Sequence, residues 1–112
     1  VSSINGPNIS STIFQSNHAR LHGGALLFAG KSYGIIKNTT LEYNSADESG
    51  GGILFQDEAI PYLEDVDFIN NNVVLGYDGL GEGGAFSVWD KAGPQLFGCF
   101  IYNNTGLLGG GA

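Results

Sequence analysis

Methionine is absent from this chain, and cysteine and tryptophan occur once each. With a single cysteine, Cys99, no disulfide can close within the chain; the thiol is either a small buried group or an inter-subunit link. Basic residues are nearly as scarce. Arg20, Lys31, Lys37 and Lys91 stand against eleven carboxylates, for a formal charge of −7. That balance excludes nucleic acid and anionic membrane surfaces as partners. Long apolar runs are missing too, so we expect no membrane insertion by this segment. The first twenty residues lack a basic start followed by an apolar run, and we expect no signal peptide in them. Without methionine, the chain is expected to be processed or to be an excerpt of something longer. Helical periodicity is also absent, and 19 glycines interrupt most stretches that might sustain it.

What the chain has instead is recurrence. Phe14-Gln-Ser-Asn17 is followed by Gly23-Gly24-Ala25, and Leu41-Glu-Tyr-Asn44 by Gly50-Gly51-Gly52. Phe68-Ile-Asn-Asn71 leads to Gly83-Gly84-Ala85, and Phe100-Ile-Tyr-Asn103 to Gly110-Gly111-Ala112. The asparagine step is 27 residues from Asn17 to Asn44 and again to Asn71, then 32 to Asn103 across an insertion spanning 73–82. A period of this size signals an array whose units bury their apolar faces only against neighbours. Short alternating or β-branched runs such as Val66-Asp67-Phe68-Ile69 favour strands. We therefore expect an all-β chain, one domain over 1–112, folded as a parallel β-helix of about four coils with about 27 residues each.

This layout gives each motif position a physical task. The glycines at 23, 24, 50, 51, 83, 84, 110 and 111 (Gly23, Gly24, Gly50, Gly51, Gly83, Gly84, Gly110 and Gly111) are expected at tight corners, where φ is positive or a side chain has no room. Asn17, Asn44, Asn71 and Asn103 are expected to form an amide ladder from coil to coil. The interior columns are expected to be Leu26, Ile53 and Phe86; Phe28, Phe55 and Val88; Ile9, Ile36, Leu63 and Leu96; and Phe14, Leu41, Phe68 and Phe100.

Three N-glycosylation sequons begin at Asn8, Asn38 and Asn103. Asn8 and Asn38 are expected to point outward and to carry N-linked glycans; Asn103, assigned to the ladder, is the poorer acceptor. Carboxylate pairs at Asp47/Glu48, Asp57/Glu58 and Asp65/Asp67 raise the question of polysaccharide chemistry. They share no column at a spacing of 27, and solvated acids at an edge account for them. His18 and His22 lie in a turn without a third ligand. We expect no catalytic residue, no metal and no cofactor.

The order F-x-x-N then G-G-A with a following apolar residue, seen in Phe14 to Asn17 with Gly23 to Leu26, resembles the repeat of the chlamydial polymorphic outer membrane protein family. The resemblance covers the whole chain, with Leu41 for Phe and Gly52 for Ala in the second unit. It implies a right-handed parallel β-helix at the cell surface, used as a stalk, adhesin or interaction surface, and it carries over no active site.

The two ends read as halves of one coil. Placed head to tail, Gly110-Gly111-Ala112 followed by Val1-Ser2-Ser3-Ile4 reaches Asn17 in 19 residues, against 20 from Gly83 to Asn103. We expect those residues to form a subunit junction through which the chain stacks on itself, since neither end supplies a polar cap. Within the insertion, Val73, Leu75, Tyr77 and Leu80 are the expected contact residues, packing on the coil or a neighbouring subunit. The leading expectation is a glycosylated extracellular fibre module. A surface adhesin is the alternative, with a polysaccharide-active enzyme after it.

Overall fold

The structure is a computed structural model and describes residues 6–74, 81–106 and 110–111. Among the described residues twelve strands, all paired in parallel, lie in three sheets, and no helix occurs. The first sheet holds the longest strands, β5 (Ile35–Glu42) and β8 (Tyr62–Ile69). The same path is split into β1 (Asn8–Ser10) and β2 (Ile13–Gln15) on one side of them. It is split again into β11 (Gln95–Phe97) and β12 (Phe100–Tyr102) on the other. A second sheet stacks β3 (His18–Ala19), β6 (Ser45–Ala46) and β9 (Asn72–Val73), and a third stacks β4 (Leu26–Phe28), β7 (Ile53–Phe55) and β10 (Phe86–Val88). The chain thus visits three sheets in turn and then lays its next unit on the one before, giving four layers.

Alternation decides which residues face in. Ile36, Leu41, Leu63, Val66 and Phe68 of the long strands meet Phe28, Ile53, Phe55, Ala85 and Phe86 of the third sheet in one core. Phe28 and Phe55 stack with ring centroids 5.7 Å apart, and each buried ring contributes on the order of 1.5–3 kcal/mol. Columns Leu26–Ile53–Phe86, Phe28–Phe55–Val88 and Ile9–Ile36–Leu63–Leu96 run as the sequence suggests. All three prolines fall in one column: Ile35, Tyr62 and Gln95 donate their N–H groups to the carbonyls of Pro7, Gly34 and Pro61. Proline here opens a strand, where its missing donor breaks no ladder.

The last layer departs from expectation by one residue. Ile101, not Phe100, continues Phe14, Leu41 and Phe68, whereas Phe100 sits outward beside Asp67. The register was already fixed by Leu63 pairing with Leu96, a step of 33, which the same strand must keep at Phe68. Cys99 accordingly lies one place before the Phe100–Asp67 pair, level with Val66 and half-buried, not in the outward column of Thr40 and Asp67. The insertion is also shorter than 73–82. Val73 is buried and pairs with Ala46, while Glu82 bridges to Ser49, so both belong to their layer. Leu75, Tyr77 and Leu80, like Val1, Ser2, Ser3, Ile4 and Ala112, lie outside the described residues.

Corners recur as columns of left-handed residues. Ser11, Asn38, Asp65 and Gly98 bend the long path, and Ser16, Tyr43, Asn70 and Asn103 end it. At the glycine corner Gly23, Gly50 and Gly83 have positive φ. The following residue is fixed by crowding: a Cβ on Gly51 would sit 2.2 Å from the Gly84 carbonyl oxygen and 2.7 Å from the Asn72 nitrogen. Gly110 continues this second-glycine column, because its carbonyl oxygen lies 2.6 Å from a Cβ built on Gly84. Gly111 therefore stands in the column of Ala25, Gly52 and Ala85; Phe86 donates to its carbonyl as Leu26 does to that of Gly52.

Candidate assembly interface and surface sites

Immediately after the left-handed corner, one asparagine per layer turns inward. Asn44 and Asn71 are fully buried. Asn44 Oδ1 accepts from both the backbone N–H and Nδ2 of Asn17, each at 3.0 Å. Asn71 Oδ1 does the same for Asn44, again at 3.0 Å. Each amide nitrogen uses its other hydrogen backward: Asn44 Nδ2 donates to the Phe14 carbonyl at 2.9 Å and Asn71 Nδ2 to that of Leu41 at 2.8 Å. Every polar atom of these buried amides is thereby paired.

The fourth rung is Asn104 rather than Asn103. Its Oδ1 accepts from Asn71 N at 2.8 Å and Asn71 Nδ2 at 3.0 Å, and its Nδ2 donates to the Phe68 carbonyl at 2.8 Å. Asn103 occupies the left-handed corner, exposed, with its Nδ2 donating to Asn70 Oδ1. An Asn-Asn pair occurs in the third unit as well, where the second member is the rung; that parallel was the available signal. A shorter ladder has no counterpart in the sequence motif. Gly30 N donates to Asp57 Oδ2 at 2.8 Å and Asp57 N to Asp90 Oδ2 at 3.2 Å, so Asp57 is tied into a corner.

Both ends of the stack expose core columns. Ile9, Phe14, Ala25 and Leu26 on one side, and Leu96 on the other, are only partly covered. Ile101, at 43 %, and Val88, at 44 %, stay exposed although their column mates Phe68 and Phe55 are fully buried. The strand edges of β1–β2 and of β11–β12 have neighbours on one side only. Such edges and columns are chemically ready for a further layer.

The sequon asparagines Asn8, Asn38 and Asn103 are all exposed. Asn38 sits at the left-handed bend of the long strand, a conformation asparagine tolerates. The histidines pair across layers and are not free turn residues. His18 Nδ1 lies 2.7 Å from Ser45 Oγ and its Nε2 3.2 Å from Asp47 Oδ1. His22 Nε2 is 3.7 Å from Glu48, and its ring meets Trp89 edge-on at 4.7 Å. Among the described residues no group of three or more His, Cys, Asp or Glu is placed to hold a metal ion. Burial pushes the Cys99 thiol above its ordinary pKa, with Asp65 and Asp67 adding to the rise and backbone hydrogen bonds from Val66 and Phe97 opposing it. No helix among the described residues is long and apolar enough to cross a membrane.

No family model and no solved structure matches the chain. Over 58 residues, 52% of this chain, it is 42% identical to the probable outer membrane protein PmpC of Chlamydia trachomatis. The chain spans about 3% of that protein's length.

Proposed function

We propose that this chain is a segment of a cell-surface protein, wound as a right-handed parallel β-helix, that serves as a structural fibre module rather than as an enzyme. The observation that carries the reading is the layered stack itself: three parallel sheets, one buried asparagine ladder, and core columns left open at both ends. A module of this kind lengthens by adding layers, either along one polypeptide or by head-to-tail stacking of copies. Location at the cell surface rests on the similarity to an outer membrane protein. N-linked glycans at Asn8 and Asn38 fit the outward placement of both side chains.

The test is to label intact source cells with an antibody raised against the chain and to image the labelled structures by electron microscopy. Surface labelling of rods supports the proposal; labelling only after permeabilisation overturns the location, and discrete compact particles overturn the fibre. Loss of mass on treatment with an N-glycosidase tests the glycans.

Adhesion is the second reading, favoured by one observation. The last layer turns Phe97, Phe100 and Tyr102 outward where an earlier layer carries Lys37, Thr40 and Glu42. Phe97 stacks on Tyr62 at 5.2 Å and Phe100 on Tyr102 at 5.8 Å, forming an aromatic face.

A further inference from the structure

Resting on the end-stacking reading above, we infer that Asn17 and Asn104 set the direction and register in which a second copy of this chain seats on the first. The ladder is polar. In each interior rung the side-chain oxygen faces the preceding layer and accepts two hydrogen bonds from it, while one amide hydrogen points forward to the next rung. The two ends consequently carry different chemistry. Asn17 presents an unpartnered Oδ1 and the second hydrogen of Nδ2, whose first goes to Asn44. Asn104 presents its backbone N–H and the second hydrogen of its own Nδ2, whose first goes to Phe68.

Setting the Asn17 end of one copy on the Asn104 end of another repeats the interior pattern. Asn104 N–H and Nδ2–H reach Asn17 Oδ1, and Asn17 Nδ2–H reaches the Ile101 carbonyl, the counterpart of Phe14, Leu41 and Phe68, whose carbonyls accept in the same way. Neither reversed pairing repeats that pattern. Two Asn17 ends offer neither Oδ1 a backbone N–H, since Asn17 N is used by Asn44, and neither Nδ2 an Ile101 carbonyl; two Asn104 ends offer their backbone N–H groups no asparagine Oδ1.

The apolar columns do not make this choice. Ile9, Phe14, Leu96 and Ile101 are all hydrophobic, so a slip along the strand is penalised less by the core than by the hydrogen bonds. A buried amide misplaced by such a slip is left unpaired, which costs more than its bonds contribute when made. The ladder therefore selects one register among those that the core permits. The occupant is a second copy because the valences match, atom for atom, those joining this chain's own layers.

Sedimentation velocity of the full purified chain, with electron microscopy of the same samples, tests the assignment. Asn17→Ala removes the junction oxygen and amide but keeps the backbone N–H that binds Asn44, and so leaves the layers intact. Association is expected to weaken roughly tenfold to a hundredfold, with an unchanged circular dichroism spectrum. Direction is read by disulfide trapping in a Cys99→Thr background, threonine being what stands at positions 12 and 39 of that column. Chains with Asn17→Cys and chains with Asn104→Cys are expected to cross-link when mixed and not when oxidised separately. Wild-type association with an unaffected Asn17→Ala variant, or equal cross-linking of the Asn104→Cys chain alone, overturns the ladder assignment. A wild-type chain that stays monomeric to its solubility limit overturns the stacking reading itself.

Discussion

Removing one interior rung puts a magnitude on the ladder. Asn71 makes four side-chain hydrogen bonds: its Oδ1 accepts from Asn44 N and Nδ2, and its Nδ2 donates to the Leu41 carbonyl and Asn104 Oδ1. In Asn71→Ala the Asn44 backbone N–H and the Leu41 carbonyl lose these partners inside a fully buried site. Each stranded group costs about 1–3 kcal/mol, so the substitution is expected to cost about 2–6 kcal/mol. A domain of this length has on the order of 5–15 kcal/mol of stability in all. The melting temperature is then expected to fall on the order of 10–20 °C. Asn17→Ala, at the exposed end of the same ladder, is expected to cost under about 1 kcal/mol because water replaces what is lost. Urea and thermal unfolding followed by circular dichroism measure both. An Asn71→Ala variant within about 0.5 kcal/mol of the wild type, a value ordinary for surface sites, contradicts the buried ladder.

Further outcomes follow from the register and the corners. Asn104→Ala is expected to destabilise more than Asn103→Ala, since only Asn104 serves the buried Asn71; equal losses in urea titrations contradict the register of the last layer. Gly51→Ala is expected to cost more than Asn71→Ala or to prevent folding, because its Cβ meets backbone from two chain segments; a soluble, cooperatively melting variant contradicts that packing. Cys99 is expected to react with iodoacetamide more slowly than an exposed cysteine near pH 8, and to recover that rate in urea. Its raised pKa favours the thiol in the folded state, so the associated stability is present below the ordinary thiol pKa and fades as pH rises through the folded value.

The repeat was legible because its motif combines residues with unrelated physical duties in a fixed order. An inward apolar side chain, an outward residue, a left-handed corner and a ladder amide give Phe14, Gln15, Ser16 and Asn17. The one-residue error in the last layer has a clear origin. Phe100 with Asn103 satisfies the same four-residue pattern as Ile101 with Asn104, and only the 33-residue step set by Leu63 and Leu96 separates the two. Identity is a weaker guide than register, because any large apolar residue fills an inward column while a strand cannot change register between Leu96 and Ile101. Gly111 is ambiguous for the same reason, since three consecutive glycines fit the corner in two ways. The Asp57–Asp90 ladder was invisible at a spacing of 27, because the insertion separates those residues by 33. Nor does a sequence show the pairing of His18 with Asp47, which depends on two layers facing each other.

The central claim is that the chain is a layered stack that extends along one axis. Four layers at the strand spacing of about 4.8 Å make a repeat of about 19 Å per chain. Electron cryomicroscopy of the native material with helical averaging measures this directly. A continuous rod with 4.8 Å layers stacked along its axis and an axial repeat near 19 Å is expected; strands running along the rod axis, or no layer line at that spacing, contradicts the layered stack.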